Sequence, residues 1–164
     1  MNVSEELKNK AVSLGLCDEW TDGWGNPTKE ELVDKFIKGY DFCVINNFPD
    51  NEYIKTNFEE IAENKGVFVD KKSIDLHNPK IAIIHGESTG MIKVDGFSVC
   101  DIHVRHNSSV NIIIEEYAIA FIRVYDNAEV IVANNGYNKS FAYRYGGSIS
   151  SSGDILVRKK QLSS

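Results

Sequence analysis

Cysteine, arginine and long apolar runs are all scarce in this chain. Cys17, Cys43 and Cys100 are three in number and far apart, which excludes a CxxC metal or redox motif and leaves no disulfide framework. Buried, reduced thiols are expected. No stretch approaches the roughly 18 to 20 apolar residues of a membrane span, and the opening MNVSEELKNK lacks the apolar run of a secretory signal. The expectation is a cytoplasmic protein with no membrane partner. Basic residues are outnumbered, 18 Lys and Arg against 24 Asp and Glu, and the net charge of -6 argues against general affinity for duplex nucleic acid. No glycine-rich phosphate loop, Ser-His-Asp set or carboxylate pair stands at a usable spacing, and no cofactor is implied. A small enzyme acting on a nucleotide or sugar therefore ranks below non-enzymatic readings.

The charge is unevenly placed. Residues 1 to 72 carry 15 acids against 9 lysines, whereas residues 73 to 164 carry nine of each, including all four arginines, Arg105, Arg123, Arg144 and Arg158. The first part also reads as helical. Ser4 can cap a helix through EELKNKAVSLG. Thr28 and Glu31 form a capping box ahead of Leu32, Val33, Phe36 and Ile37, and Gly39 ends that helix. Asp50 caps a third helix with Ile54, Phe58 and Ile61 on one face. Trp20 and Trp24 lie in CDEWTDGWGN, a loop expected to fold back over the helical core.

After VFVD the pattern changes from helical to alternating, and it repeats every twenty residues. Ala82, Ile102, Ile122 and Ala142 form one column; Ile84, Val104, Val124 and Arg144 another; Phe97, Tyr117, Tyr137 and Val157 a third. Turn positions align as Gly86, His106, Asp126 and Gly146. Strict self-similarity of this kind marks stacked repeats. Each ten-residue segment reads as a short strand followed by a corner with φ above zero, and two segments make one coil, so like residues pile into ladders about 4.8 Å apart. The expected fold is α+β: a helical cap over residues 1-72, followed over 73-164 by a single-stranded β-solenoid of about four coils. A hairpin sandwich has no reason to keep that register. Open solenoid ends need covering, and the charged VRKKQLSS can blunt the last coil.

The lead YDFCVINNFPDNEYIKTNF, followed by GVFVD, DGFSV, VRHNS, VYDNA and RYGG, resembles a recurrent family of small proteins from gut bacteria and their phages or prophages. The resemblance implies a helical head, a short β-repeat tail and a mobile-element context. It carries over no catalytic residues.

Two columns between the apolar ones suggest a function. They run Ile83, His103, Arg123, Tyr143 and His85, Arg105, Tyr125, Tyr145, setting cations beside phenol rings on an outward face. Arginine forks hold phosphate or carboxylate, and ring or guanidinium faces stack on planar groups. The expected ligand-binding residues are thus His85, His103, Arg105, Arg123, Tyr125, Tyr143 and Tyr145, engaging an anionic small molecule or a protein partner. In a phage setting, the target would be a nucleotide signal or a host defence protein. Against this stands simple cross-strand stabilisation of the sheet. The opposite side, with Glu115, Glu116, Asn134, Asn135 and Asp154, reads as solvated. His106 falls next to Asp126, but arginine nearby opposes a metal. The alternative function is a self-assembling, bactofilin-like scaffold, a homo-oligomer joined through its sheet faces or its C-terminal end, with exposed Tyr125 and Tyr145 as suited to a subunit contact as to a base.

Overall fold

A computed structural model describes residues 2-162. The chain divides into two compact units between Lys65 and Gly66.

The first unit holds five helices: α1 (Val3–Ser13), α2 (Asp18–Asp22), α3 (Lys29–Lys38), α4 (Tyr40–Asn46) and α5 (Asn51–Asn64). Thr28 and Asp50 cap α3 and α5 by accepting from the Glu31 and Tyr53 amides at 3.2 and 2.8 Å. The cap of α1 is Asn2 rather than Ser4, its side chain accepting from the Glu5 amide at 2.8 Å. Ser4 instead accepts from Trp24 Nε1 at 3.0 Å, fixing the buried Trp24 ring. Lys35 Nζ lies 5.3 Å from Trp24 and 5.8 Å from Trp20. Gly39 ends α3 as expected, yet α4 begins at once, a change of direction that helical periodicity does not reveal.

The second unit is a β-solenoid of about four turns with about twenty residues per turn. Its strands are β1 (Val67–Val69), β2 (Ile74–His77), β3 (Ile81–His85), β4 (Thr89–Val94), β5 (Val99–Val104), β6 (Ser109–Ile114), β7 (Ile119–Val124), β8 (Glu129–Asn134), β9 (Ser140–Arg144), β10 (Ser148–Gly153) and β11 (Ile155–Lys159). Odd strands form one parallel sheet in the order β1-β3-β5-β7-β9-β11, and even strands the other, β2-β4-β6-β8-β10. The twenty-residue step is exact where it counts: Ile102 pairs with Ile122, Ile122 with Ala142, and Ile112 with Val132. Alternation along each strand then puts Ile84, Val104, Val124, Ile92, Ile112 and Val132 in one continuous apolar interior.

The register departs from twenty at both ends. Val67 pairs with Ile83, a step of sixteen, so strand pairing begins ahead of residue 73; Val67-Phe68-Val69 is too short to show alternation in sequence. Ile155 pairs with Ser140, a step of fifteen. Val157 therefore joins Ala142 and not the Phe97, Tyr117, Tyr137 column. The charged C-terminal run begins inside an edge strand, β11, which takes in Val157, Arg158 and Lys159.

The corners take φ above zero at Gly86, His106 and Asp126 on one side and at Gly96 and Glu116 on the other. His106 and Glu116 are poor formers of that conformation, at a cost of about 1 to 2 kcal/mol each. The stack compensates: the His106 amide donates to Asp126 Oδ2 at 3.0 Å, and Glu116 Oε1 accepts from the Gly96 amide at 3.3 Å. Asn134, expected to be solvated, is buried; its Nδ2 donates to the Asn138 and Asp154 carbonyls at 2.8 and 2.9 Å, closing a corner and the last coil together.

Candidate functional site

Parallel pairing brings the two columns together as the repeat requires. His103, Arg123, Tyr143 and Arg158 stand in register on β5, β7, β9 and β11. The column, headed by Ile83, therefore gains a fifth member, Arg158, which the shortened last step hides from a twenty-residue alignment. The neighbouring column places Arg105, Tyr125 and Tyr145 on successive turns, where their amides donate to the carbonyls of Ile84, Val104 and Val124.

The expectation that all seven side chains are outward and available is corrected. His85, His103, Arg105 and Tyr125 are each at most 8% exposed. Their polar groups and ring faces are taken up by the adjacent rungs. Tyr125 stacks on Tyr145 with centroids 4.9 Å apart, and its hydroxyl lies 3.2 Å from His103 Nδ1. Arg105 Nε donates to Asp126 Oδ2 at 3.0 Å. His85 meets His106 edge to face at 5.0 Å, and His106 Nδ1 accepts the Gly86 amide at 3.1 Å. Of the two tyrosines expected to be exposed, only Tyr145 keeps accessible surface.

This buried cluster is held neutral at its imidazoles. Burial, reinforced by His106, Arg105 and His103, holds His85 well below its ordinary value. Burial and then the Arg123 charge push His103 down to about 3. His106 is lowered by burial and Arg105, against the opposing pull of Asp126 and Asp70. Burial works to raise Asp126, but bonds from the His106 amide and Arg105 outweigh it and leave its carboxyl below the usual range. His106 and Asp126 make a corner clamp, with the Asp126 carboxylate occupied by backbone and guanidinium. Among the described residues, no group of three or more His, Cys, Asp or Glu side chains is disposed to hold a metal ion.

What stays accessible lies toward the last turns. Arg123, Tyr143 and Tyr145 are half-buried, and Arg158 and Lys160 are exposed. The Arg123 guanidinium stands 5.4 Å from the Tyr143 ring centre and Lys160 Nζ 5.8 Å from the same ring. Arg123 is 3.7 Å from Asp101, a loose pairing. Alongside, Phe121 and Phe141 stack at 5.4 Å and 8°, with Leu156 next in register. Phe121, Phe141, Arg158 and Lys160 are absent from the sequence expectation. The first two were legible as a twenty-residue pair, whereas the last two depend on the fifteen-residue step.

The other conspicuous column is Phe97, Tyr117, Tyr137. The first two rings stack at 4.9 Å and 5°, and the next pair lies at 5.2 Å and 39°. Comparison with family models, curated proteins and solved structures yields no match. No helix among the described residues is long and apolar enough to cross a membrane.

Proposed function

We propose that this chain is a non-enzymatic binding module whose last turns engage an anionic partner through Arg123, Tyr143 and Tyr145, joined by Arg158 and Lys160. The single observation carrying this reading is the rung order: Arg123, Tyr143 and Arg158 follow one another across β7, β9 and β11, with Lys160 over the same ring. Cations alternating with a ring on a stiff sheet suit a phosphate or carboxylate attached to a planar group. Composition supports it further, since residues 131-162 carry five basic side chains and one acidic. Tyr, Phe and Arg are also the types that dominate binding hot spots. The buried His85, His103, Arg105 and Tyr125 act here as a spine that holds the outer rungs in place. In the mobile-element setting that the resemblance implies, sequestering a nucleotide signal or occupying an acidic patch of a host defence protein is the natural use.

Calorimetry against nucleotides, cyclic nucleotides and sugar phosphates tests this. Arg123→Ala and Arg158→Ala should each weaken binding about tenfold or more, and Tyr143→Ala should cost about 1 to 3 kcal/mol while Tyr143→Phe keeps most of the affinity. Equal affinity in all variants, or no binding of any anion, overturns the reading.

A further inference from the structure

The Phe97, Tyr117, Tyr137 ridge is unlike the rest of the solenoid surface. Its rings are 82%, 46% and 77% exposed, and Val99 and Ile119 pair in register beside them, both open to solvent to some degree. The rings spend their faces on one another, so a planar ligand would have to break the stack to enter it. What remains is an apolar ridge of the sort that marks a macromolecular contact. Its corner is acidic on balance: Asp95, Glu115 and Glu116 precede or flank the rings, with Asp95 bonded to His77 and Asn78, against Lys93, which is already 3.3 Å from Glu115, and Lys139 just after Tyr137.

The last strand, β11, offers the complement. Residues 66-130 hold nine carboxylates against six basic side chains, net -3, and residues 131-162 hold one against five, net +4. On the last strand, Arg158 and Lys159 follow exposed Val157, and Lys160 and exposed Leu162 come after them. Among the described strands β11 is paired on one side only, to β9. One surface thus carries rings and carboxylates, the other aliphatic groups, cations and a free strand edge.

We propose that the partner of the basic last turns is a second copy of this chain, whose Phe97, Tyr117, Tyr137 ridge receives the Arg158 to Lys160 segment. This inference rests on the anion-binding reading above and names its macromolecular occupant. The two surfaces differ, so the contact is heterologous, and each copy keeps one of each free for further addition. Charge supplies orientation and rate, and the apolar ridge excludes water around it.

Sedimentation velocity over a concentration series is the test. Wild-type chain should show a mass that grows with concentration and falls at high salt. Lys159→Glu with Lys160→Glu should weaken self-association by at least about tenfold, as should Glu115→Lys, which leaves the Glu116 corner bond in place, and an equimolar mixture of the two reversed chains should restore it. Phe97→Ser with Tyr137→Ser, which alters only exposed rings and leaves every charge in place, should abolish it as well. A wild-type chain that stays monomeric throughout, association untouched by the ring variant, or a reversed mixture that does not associate overturns the inference. Calorimetry with small phosphates on the Phe97→Ser, Tyr137→Ser chain separates the two readings, because it should still bind them if only the choice of partner is wrong.

Discussion

At the scale of residues, the decisive fact is a concentration of imidazole around one guanidinium. His106 accepts the Gly86 amide through Nδ1, a bond that needs a lone pair there, and His103 sits at about 3 through burial and Arg123. The unfolded chain takes up protons near the ordinary histidine value of 6.5, and the folded chain refuses them. For His103, stability is therefore fully present above that value and is lost as pH falls toward 3, by roughly 1 kcal/mol per pH unit. Denaturant titrations at pH 7 and pH 5 should show this loss, and His103→Gln should make the difference smaller by roughly one histidine's share; an unchanged pH dependence would count against the buried, neutral assignment. Sequence made the columns of cation and ring visible but not their burial. Whether Tyr125 faces solvent depends on where Tyr145 and His103 lie around it, and alternation along one strand does not encode that.

At the scale of elements, the fold is a register more than a collection of strands. Gly90 shows how tightly it is set. It pairs with Ile74, and a Cβ there would stand 2.5 Å from the Ile74 carbonyl oxygen, which is backbone and cannot swing aside. Gly90→Ala should cost about 1 to 3 kcal/mol in a denaturation experiment, the usual penalty of overpacking, although alanine is the smaller of all possible additions. The central turns were legible because Ile102, Ile112, Ile122 and Val132 repeat without slippage. The ends were not. β1 is three residues long, and β11 returns after fifteen residues, so Arg158 joined the Arg123 and Tyr143 column unseen. Two helices were also missed: α2 has only five residues, and α4 follows α3 with no break beyond Gly39. The inner apolar ladder ends in polar groups, Val124 giving way to Arg144 and then Lys159, and Val132 to Ser151. Those substitutions make the last turn less inviting to another apolar core while leaving its strand edges unpaired.

At the scale of the whole molecule, charge is sorted along the sequence, net -3 over residues 66-130 and net +4 over 131-162. An exposed acidic ridge and a basic terminal strand on one solenoid give the chain a sense of direction. The binding face and the ridge both depend on one geometric feature: residues twenty apart are neighbours on adjacent parallel strands. Asn111 and Ile131 are such a pair, both exposed on the even sheet. Neighbouring parallel strands hold their Cα atoms about 4.8 Å apart, within disulfide reach, whereas a partner displaced by two residues lies roughly 8 Å away and outside it. In a Cys17→Ser background, Asn111→Cys with Ile131→Cys should oxidise quantitatively to an intramolecular disulfide with a mass loss of about 2 Da, and Asn111→Cys with Ala133→Cys should remain reduced. Bridging of the displaced pair in preference to the registered one would contradict the solenoid and, with it, the binding face built upon it.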